Sequence, residues 1–317
     1  MAVFLSTLNQ MGFLILLIVI GYVLSRFDIV PSSGAGLLSR LENNVFVPAL
    51  VLGTFMKDFT ISRMSEAAQY LLAGTVIIAL AVAFSIPVAR LCHKDDYIRK
   101  IYTYGLMFSN FGFMGNAVVS ALFPEVFTGY LILCIPFWIV MYGWSVPALL
   151  IPVKTDGGKL AGLKNLLNPM FVAMLIGMVL GLLELQLPSF VGSAVTTLGN
   201  CMSPIAMLLT GMTIAKIDLK ATLTNGSIYL VTFIRLIIIP MACIGILLGL
   251  KQFIDIPYGV ALCAVCSVAM PLGLNTVVIP SAYGKDTTVA AGMAMISHPL
   301  SGLTIPVIFF IFNMLIK

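Results

Sequence analysis

Two stretches of this chain place helix-breaking residues beside amides in apolar surroundings. One is Ser109-Asn110-Phe111-Gly112-Phe113-Met114-Gly115-Asn116. The other is Met270-Pro271-Leu272-Gly273-Leu274-Asn275-Thr276. Pro271 removes a backbone donor and crowds the preceding turn. Gly112, Gly115 and Gly273 permit dihedrals that other residues resist. A helix broken there leaves N–H groups with partial positive charge at the start of its second half, which suits a carboxylate. It leaves carbonyls at the end of its first half, which suit Na⁺ or a proton-bearing group. Asn110, Gly112, Gly115, Asn116, Pro271, Gly273, Asn275 and Thr276 are therefore the candidate binding residues. A plainer account stays open, because Gly and Pro are common in membrane helices and Gly also permits close packing.

Other polar residues fall within apolar segments, where ionisable groups are functional candidates by default. Glu42 has two readings: it carries a coupling proton, or it pairs with Lys or Arg near the inner interface. Asn44-x-x-x-Pro48 and Asn200-x-x-x-Pro204 add amides that either serve a site or bond between helices. Arg40 is expected to snorkel to the inner surface. Arg235 sits deeper, where it attracts an anion, neutralises a carboxylate or meets lipid headgroups. His298 either relays protons or packs through hydrogen bonds. Lys285-Asp286 reads as a loop ion pair. Coupling to Na⁺ or to H⁺ is open at this stage.

The same inventory argues against an enzyme. Catalysis needs a nucleophile–base pair, paired carboxylates or a metal cluster. The chain has only His93 and His298, and neither an H-E-x-x-H pattern nor a pair of aspartates within one apolar segment. Of six cysteines, Cys263 and Cys266 have C-x-x-C spacing, but inside an apolar segment with no further ligand nearby, so packing is the expected role. No metal and no cofactor is expected.

These residues must be held by something, and composition says what. Of 317 residues, 60% are hydrophobic and 9% charged, against roughly 25% charged in a soluble domain. Mean hydropathy is +1.10. No soluble fold of this size hides so much apolar surface, so the solvent is lipid. A span needs about 20 mostly apolar residues. Ten segments qualify: 4–25, 35–56, 67–89, 99–122, 127–151, 168–186, 189–214, 226–249, 257–282 and 288–315. The expected fold is an all-α membrane protein of ten transmembrane helices, with segments 4 and 9 broken where they cross. No Lys or Arg precedes the first apolar run, so that run does not read as a cleavable signal. The net charge of +5 lies in short loops and reports orientation rather than nucleic-acid binding. With the N-terminus outside, the inner loops carry Arg26, Arg90, Lys94, Arg99, Lys100, Lys154, Lys159, Lys164, Lys216, Lys220 and Lys285. The outer side keeps Lys57, Arg63, Lys251 and Lys317. Both termini are thus expected on the extracytoplasmic side of the cell membrane.

The chain also resembles itself. Ile20-Gly21-Tyr22-Val23-Leu24 resembles Ile176-Gly177-Met178-Val179-Leu180. At the same offset Asn44 and Pro48 match Asn200 and Pro204, and Thr54 matches Thr210. Asn116-Ala117-Val118-Val119 resembles Asn275-Thr276-Val277-Val278, and at that second offset Pro147 falls on Pro306. The reading is a first five-helix repeat over 1–151, a flexible cytoplasmic linker over 152–167, and a second repeat over 168–317. Five is odd, so the second repeat enters the membrane inverted, an arrangement that suits alternating access in secondary transporters.

At Ala269-Met270-Pro271-Leu272-Gly273 and Tyr283 the chain closely resembles the last repeat of the auxin efflux carrier family in its bacterial form, which includes malate and malonate permeases. The resemblance covers essentially the whole chain. It implies the fold shared with bile-acid sodium symporters, a small organic-anion substrate held near the crossing, and a homodimer. The chain departs from the family at Ser109-Asn110 and Asn116-Ala117, where members often carry Pro, so the first break relies on Gly112 and Gly115. A sodium-coupled carrier of another solute and a ligand-binding sensor that moves nothing are the other readings.

Overall fold

The computed structural model describes residues 2–31, 33–61, 64–150, 169–185, 187–215, 226–282 and 285–316. Among these the backbone is helical and contains no β-strand. Helices satisfy every backbone polar group within one segment, which an apolar solvent demands. Helix α1 covers Ala2–Arg26. Helix α2 (Gly34–Leu41) runs through a π-helical turn (Glu42–Phe46) into α3 (Val47–Asp58). Helix α4 covers Met64–Cys92. Helix α5 (Asp96–Met107) stops, and the chain resumes through a π-helical turn (Phe111–Gly115) into α6 (Asn116–Leu122). Helix α7 (Phe127–Val140) continues as a π-helical stretch (Met141–Leu150).

The second half also contains one helix that stops and resumes, but its π-helical turn falls on a different helix of the order. Helix α8 covers Pro169–Leu182 and α9 covers Ser189–Ile214. Helix α10 (Gly226–Phe233) passes through a π-helical turn (Ile234–Ile238) into α11 (Ile239–Leu250). Helix α12 (Tyr258–Ala269) stops and α13 (Asn275–Ala282) follows. Helix α14 covers Thr288–Leu315. Among the described residues six helices are long and apolar enough to cross a bilayer: Thr7–Arg26, Glu66–Cys92, Pro124–Leu150, Ser189–Ile214, Gly226–Leu250 and Thr288–Leu315. Shorter apolar helices cover Phe111–Leu122, Pro169–Leu182 and Tyr258–Ala269.

The π-helical turns Glu42–Phe46 and Ile234–Ile238 have a common cause. Pro48 and Pro240 bring no N–H for the carbonyls of Asn44 and Leu236, so the ladder slips by one residue just before each proline. Helix α8 ends sooner than the 168–186 reading. Glu184 adopts φ 52°, its N–H donates to Gly181 O at 3.1 Å, and the Leu185 N–H donates to Leu180 O at 2.9 Å. That pair of bonds is a Schellman cap, which closes the helix at Leu182.

Burial runs opposite to that of a soluble protein. Leu16 and Leu72 are 58% and 66% exposed on the outer faces of α1 and α4, whereas Ser85, Asn110, Ser145, Arg235 and His298 are buried. The two interrupted helices lie deepest: Ile101 to Met107 of α5 and Val260 to Ala269 of α12 are buried throughout. Helices pack on one another at bare backbone. A Cβ on Gly21 would lie 2.1 Å from the Leu208 carbonyl oxygen, and one on Gly211 would lie 1.9 Å from that of Ile18. The loop Pro152 to Asn168, Arg63, Lys216, Lys220, Tyr283 and Lys317 lie outside the described residues.

Candidate functional site

The breaks after α5 and α12 face each other. Ser109 and Leu272 form an antiparallel bridge, in which the Asn110 N–H donates to Pro271 O at 2.7 Å. Pro271 brings no N–H to the carbonyl of Ser267, and the Ser109 hydroxyl donates to that oxygen instead, at 2.6 Å. The chain then re-enters helix on each side. The Gly115 N–H donates to Asn110 O at 2.9 Å, and the Thr276 N–H and hydroxyl both donate to Gly273 O, at 3.0 and 2.7 Å. These bonds pair several backbone groups freed at the crossing with the opposite break or with a short side chain, as burial requires.

Beside the crossing lies a cavity of about 240 Å³. Asn110, Gly112, Gly273 and Asn275 line it, as does Asn44 from the turn before α3. Gly115, Asn116, Pro271 and Thr276 belong to the breaks but not to the cavity wall. Gly115 and Gly112 are compact for a local reason: a Cβ on Gly115 would lie 2.1 Å from the Tyr130 hydroxyl, and one on Gly112 would lie 2.5 Å from the Trp138 ring. That Tyr130 hydroxyl donates to Phe111 O at 2.9 Å and fixes the first break.

Aromatic rings make the opposite wall. Phe111 and Trp138 stand 4.7 Å apart, and Trp138 stacks on Tyr142 at 5.9 Å with an 8° interplanar angle. Tyr104 and Phe108 complete the wall, and Asn43 faces the same space. These residues escape a reading based on helix breakers, since a ring in an apolar run looks like core. The signal open to sequence is weak: Trp138 and Tyr142 are four apart and share a helix face.

The remaining polar candidates divide. His298, wholly buried on α14, joins the site through Asn110: Asn110 Nδ2 and His298 Nε2 lie 3.2 Å apart, and His298 Nδ1 is 2.9 Å from Ala294 O. A carbonyl can only accept, so Nδ1 carries the proton and Nε2 accepts from the amide. Glu42 is buried in its π-helical turn, and neither carboxyl oxygen finds a hydrogen-bond partner among the described residues. The expected pairing with Lys or Arg is thus not made there. Asn200 is exposed on α9 and lines no part of the cavity. Asn44 Nδ2 donates to Arg40 O at 2.7 Å.

Arg235 is 1% exposed. It lines no part of the cavity and pairs with no carboxylate among the described residues. Its guanidinium donates instead to the carbonyls of Leu106, at 3.0 Å, and Val268. Lys285 and Asp286 also differ from expectation. The Asp286 carboxylate accepts from the N–H and hydroxyl of Thr288 at 2.9 and 2.6 Å, which caps α14 and holds its pKa below the usual carboxylate value. Cys263 and Cys266 are buried free thiols on α12.

A helical membrane protein with two helices interrupted against each other beside a cavity lined by amides and aromatic rings has the build of a transport protein. A family model described as "Membrane transport protein" matches residues 6–161 and again residues 155–309. The chain belongs to this family, the auxin efflux carriers. No curated protein matches it.

Proposed function

We propose that this chain is a secondary carrier of a small organic anion, a mono- or dicarboxylate, and not an enzyme. One observation carries the reading: α13 begins at the cavity wall, with Gly273, Leu274 and Asn275 lining it. The N-terminal end of a helix attracts negative charge through its dipole; the Thr276, Val277 and Val278 N–H groups themselves bond back to Gly273 O and Leu274 O. The Asn110 and Asn275 amides add donors, and aromatic faces border the apolar part of a solute. A volume of about 240 Å³ falls below the roughly 300–1,000 Å³ of drug-sized sites, so the solute is small.

The carrier is read as ten helices in two inverted five-helix repeats that rock in alternating access across the cell membrane. The packing supports the repeat. Gly21 abuts the carbonyl of Leu208, and Gly177 abuts the carbonyl of Leu52 at 2.9 Å. Gly177 follows Gly21 at the offset by which Leu208 follows Leu52, so the two contacts exchange under one symmetry operation. Thr54 and Thr210, equivalent at that offset, each donate to the carbonyl four residues back at 2.8 Å. A carboxyl at Glu42 buried without a hydrogen-bond partner among the described residues makes H⁺ the favoured coupling ion, since an ionised group there is costly.

The test starts from purified protein screened for thermal shifts with small carboxylates. Uptake of any ligand so found is then measured in proteoliposomes, with and without a proton uncoupler. Asn275→Leu, at matched expression, is expected to lower uptake at least tenfold. Undiminished uptake by that variant would remove the site, and binding without flux in the wild type would make the chain a sensor.

A further inference from the structure

In an unbroken α-helix the carbonyl of Leu106 accepts from the N–H of Asn110, and that of Val268 from the N–H of Leu272. Neither bond forms here. The Asn110 N–H turns to Pro271 O at 2.7 Å, and the Leu272 N–H turns to the Ser297 hydroxyl at 3.3 Å. Two carbonyls, one from the last turn of α5 and one from the last turn of α12, are left over beside each other. Arg235 reaches both: Nη1 donates to Leu106 O and Nη2 to Val268 O.

The two Nη groups are satisfied in this way, Nε finds no partner among the described residues, and the charges match. A helix C-terminus carries the equivalent of roughly half a negative charge, so two of them together balance about one positive charge. Arg235 comes from the π-helical turn before Pro240, which places its long side chain across both ends. The ion pairs among the described residues join Asp96 to Arg99 and Lys100 and leave Arg235 out. The two helix ends are its counter-charge.

We infer that Arg235 is the resident cation of the crossing, occupying the carbonyl pair that would otherwise receive a coupling cation, so that the crossing holds no Na⁺ and needs none. The geometry stands by itself, while the consequence for coupling rests on the carrier reading. Freed carbonyls at helix ends are good ligands for a monovalent cation. With a guanidinium already on both, a metal ion there would face a fixed like charge at contact distance.

The experiment reads the purified protein without any substrate. The thermal unfolding midpoint is measured in equal concentrations of NaCl, KCl and N-methylglucamine chloride, with and without methylguanidinium. Wild type is expected to show one midpoint in all three salts. Arg235→Ala is expected to fall by about 5 °C or more and to recover saturably with methylguanidinium or Na⁺, which enter the vacated space. Arg235→Met fills that space without charge and is expected to stay low whatever is added. Arg235→Lys keeps a cation and is expected to lie between, with no response to Na⁺; it serves as the deciding variant where Arg235→Ala does not survive purification. A wild-type midpoint raised saturably by Na⁺ over K⁺, an Arg235→Met protein as stable as wild type, or an Arg235→Lys protein stabilised by Na⁺ would each overturn the inference. None of these readings depends on uptake, so a failure of the carrier proposal is seen separately, as absence of flux in every ionic condition.

Discussion

His298 and Asn110 form a side-chain bond between the first break and α14, and both are buried. Asn110→Leu leaves His298 Nε2 buried with no donor, which costs about 1–3 kcal/mol. A double substitution, Asn110→Leu with His298→Phe, removes both partners, so the loss should be smaller than the sum of the two single losses. The measurement is a double-mutant cycle on unfolding midpoints, with an expected coupling of about 0.5–3 kcal/mol. Strict additivity would mean that the bond contributes nothing. At this scale the sequence was legible where residues break rules and mute where they obey them. Asn110, Gly112, Gly273 and Asn275 stand out because amides and helix breakers are anomalous in apolar runs, and they do line the cavity. Trp138, Tyr142 and Tyr104 line it too, yet aromatic rings are ordinary in a membrane helix. Arg235 was visible as a buried charge, but its partners are backbone carbonyls on two other helices, and no side-chain pattern encodes those.

Helix pairs in this protein meet where a missing side chain lets backbones touch. Gly21 and Gly211 place α1 on α9, with no room for a Cβ at either. Gly21→Val is therefore expected to push the two helices apart and destabilise the protein by about 1–3 kcal/mol. Gly12, on the same helix, has nothing within 4 Å of its would-be Cβ. Gly12→Val is the matched control and should destabilise far less; equal losses at both positions would show that the contact is not what the glycine serves. The elements themselves were readable, since lipid forces apolar runs into helices and the runs are separated by charged or proline-bearing turns. Interruptions within a run were partly readable. The break at Pro271 follows from a missing donor, whereas the π-helical turns before Pro48 and Pro240 depend on how a helix absorbs a proline without stopping. The early end of α8 was hidden because a left-handed Glu184 has no compositional signature.

In the carrier proposed above, five crossings per repeat put equivalent loops of the two halves on opposite sides of the membrane. Lys94, between α4 and α5, and Lys251, between α11 and α12, lie in such a pair of loops, and both are exposed. Lys94 belongs to the basic group assigned to the cytoplasmic side, which carries His93, Arg99 and Lys100 with it, while Lys251 has an isolated charge. With the six native cysteines replaced, a single cysteine at each position is probed with a membrane-impermeant maleimide. Lys251→Cys is expected to react in intact cells and Lys94→Cys only after permeabilisation. The reverse pattern would turn the molecule over but keep the inversion. Labelling of both from one side would break the inversion itself, and with it the alternation that lets one cavity between the two halves open first to one face of the membrane and then to the other.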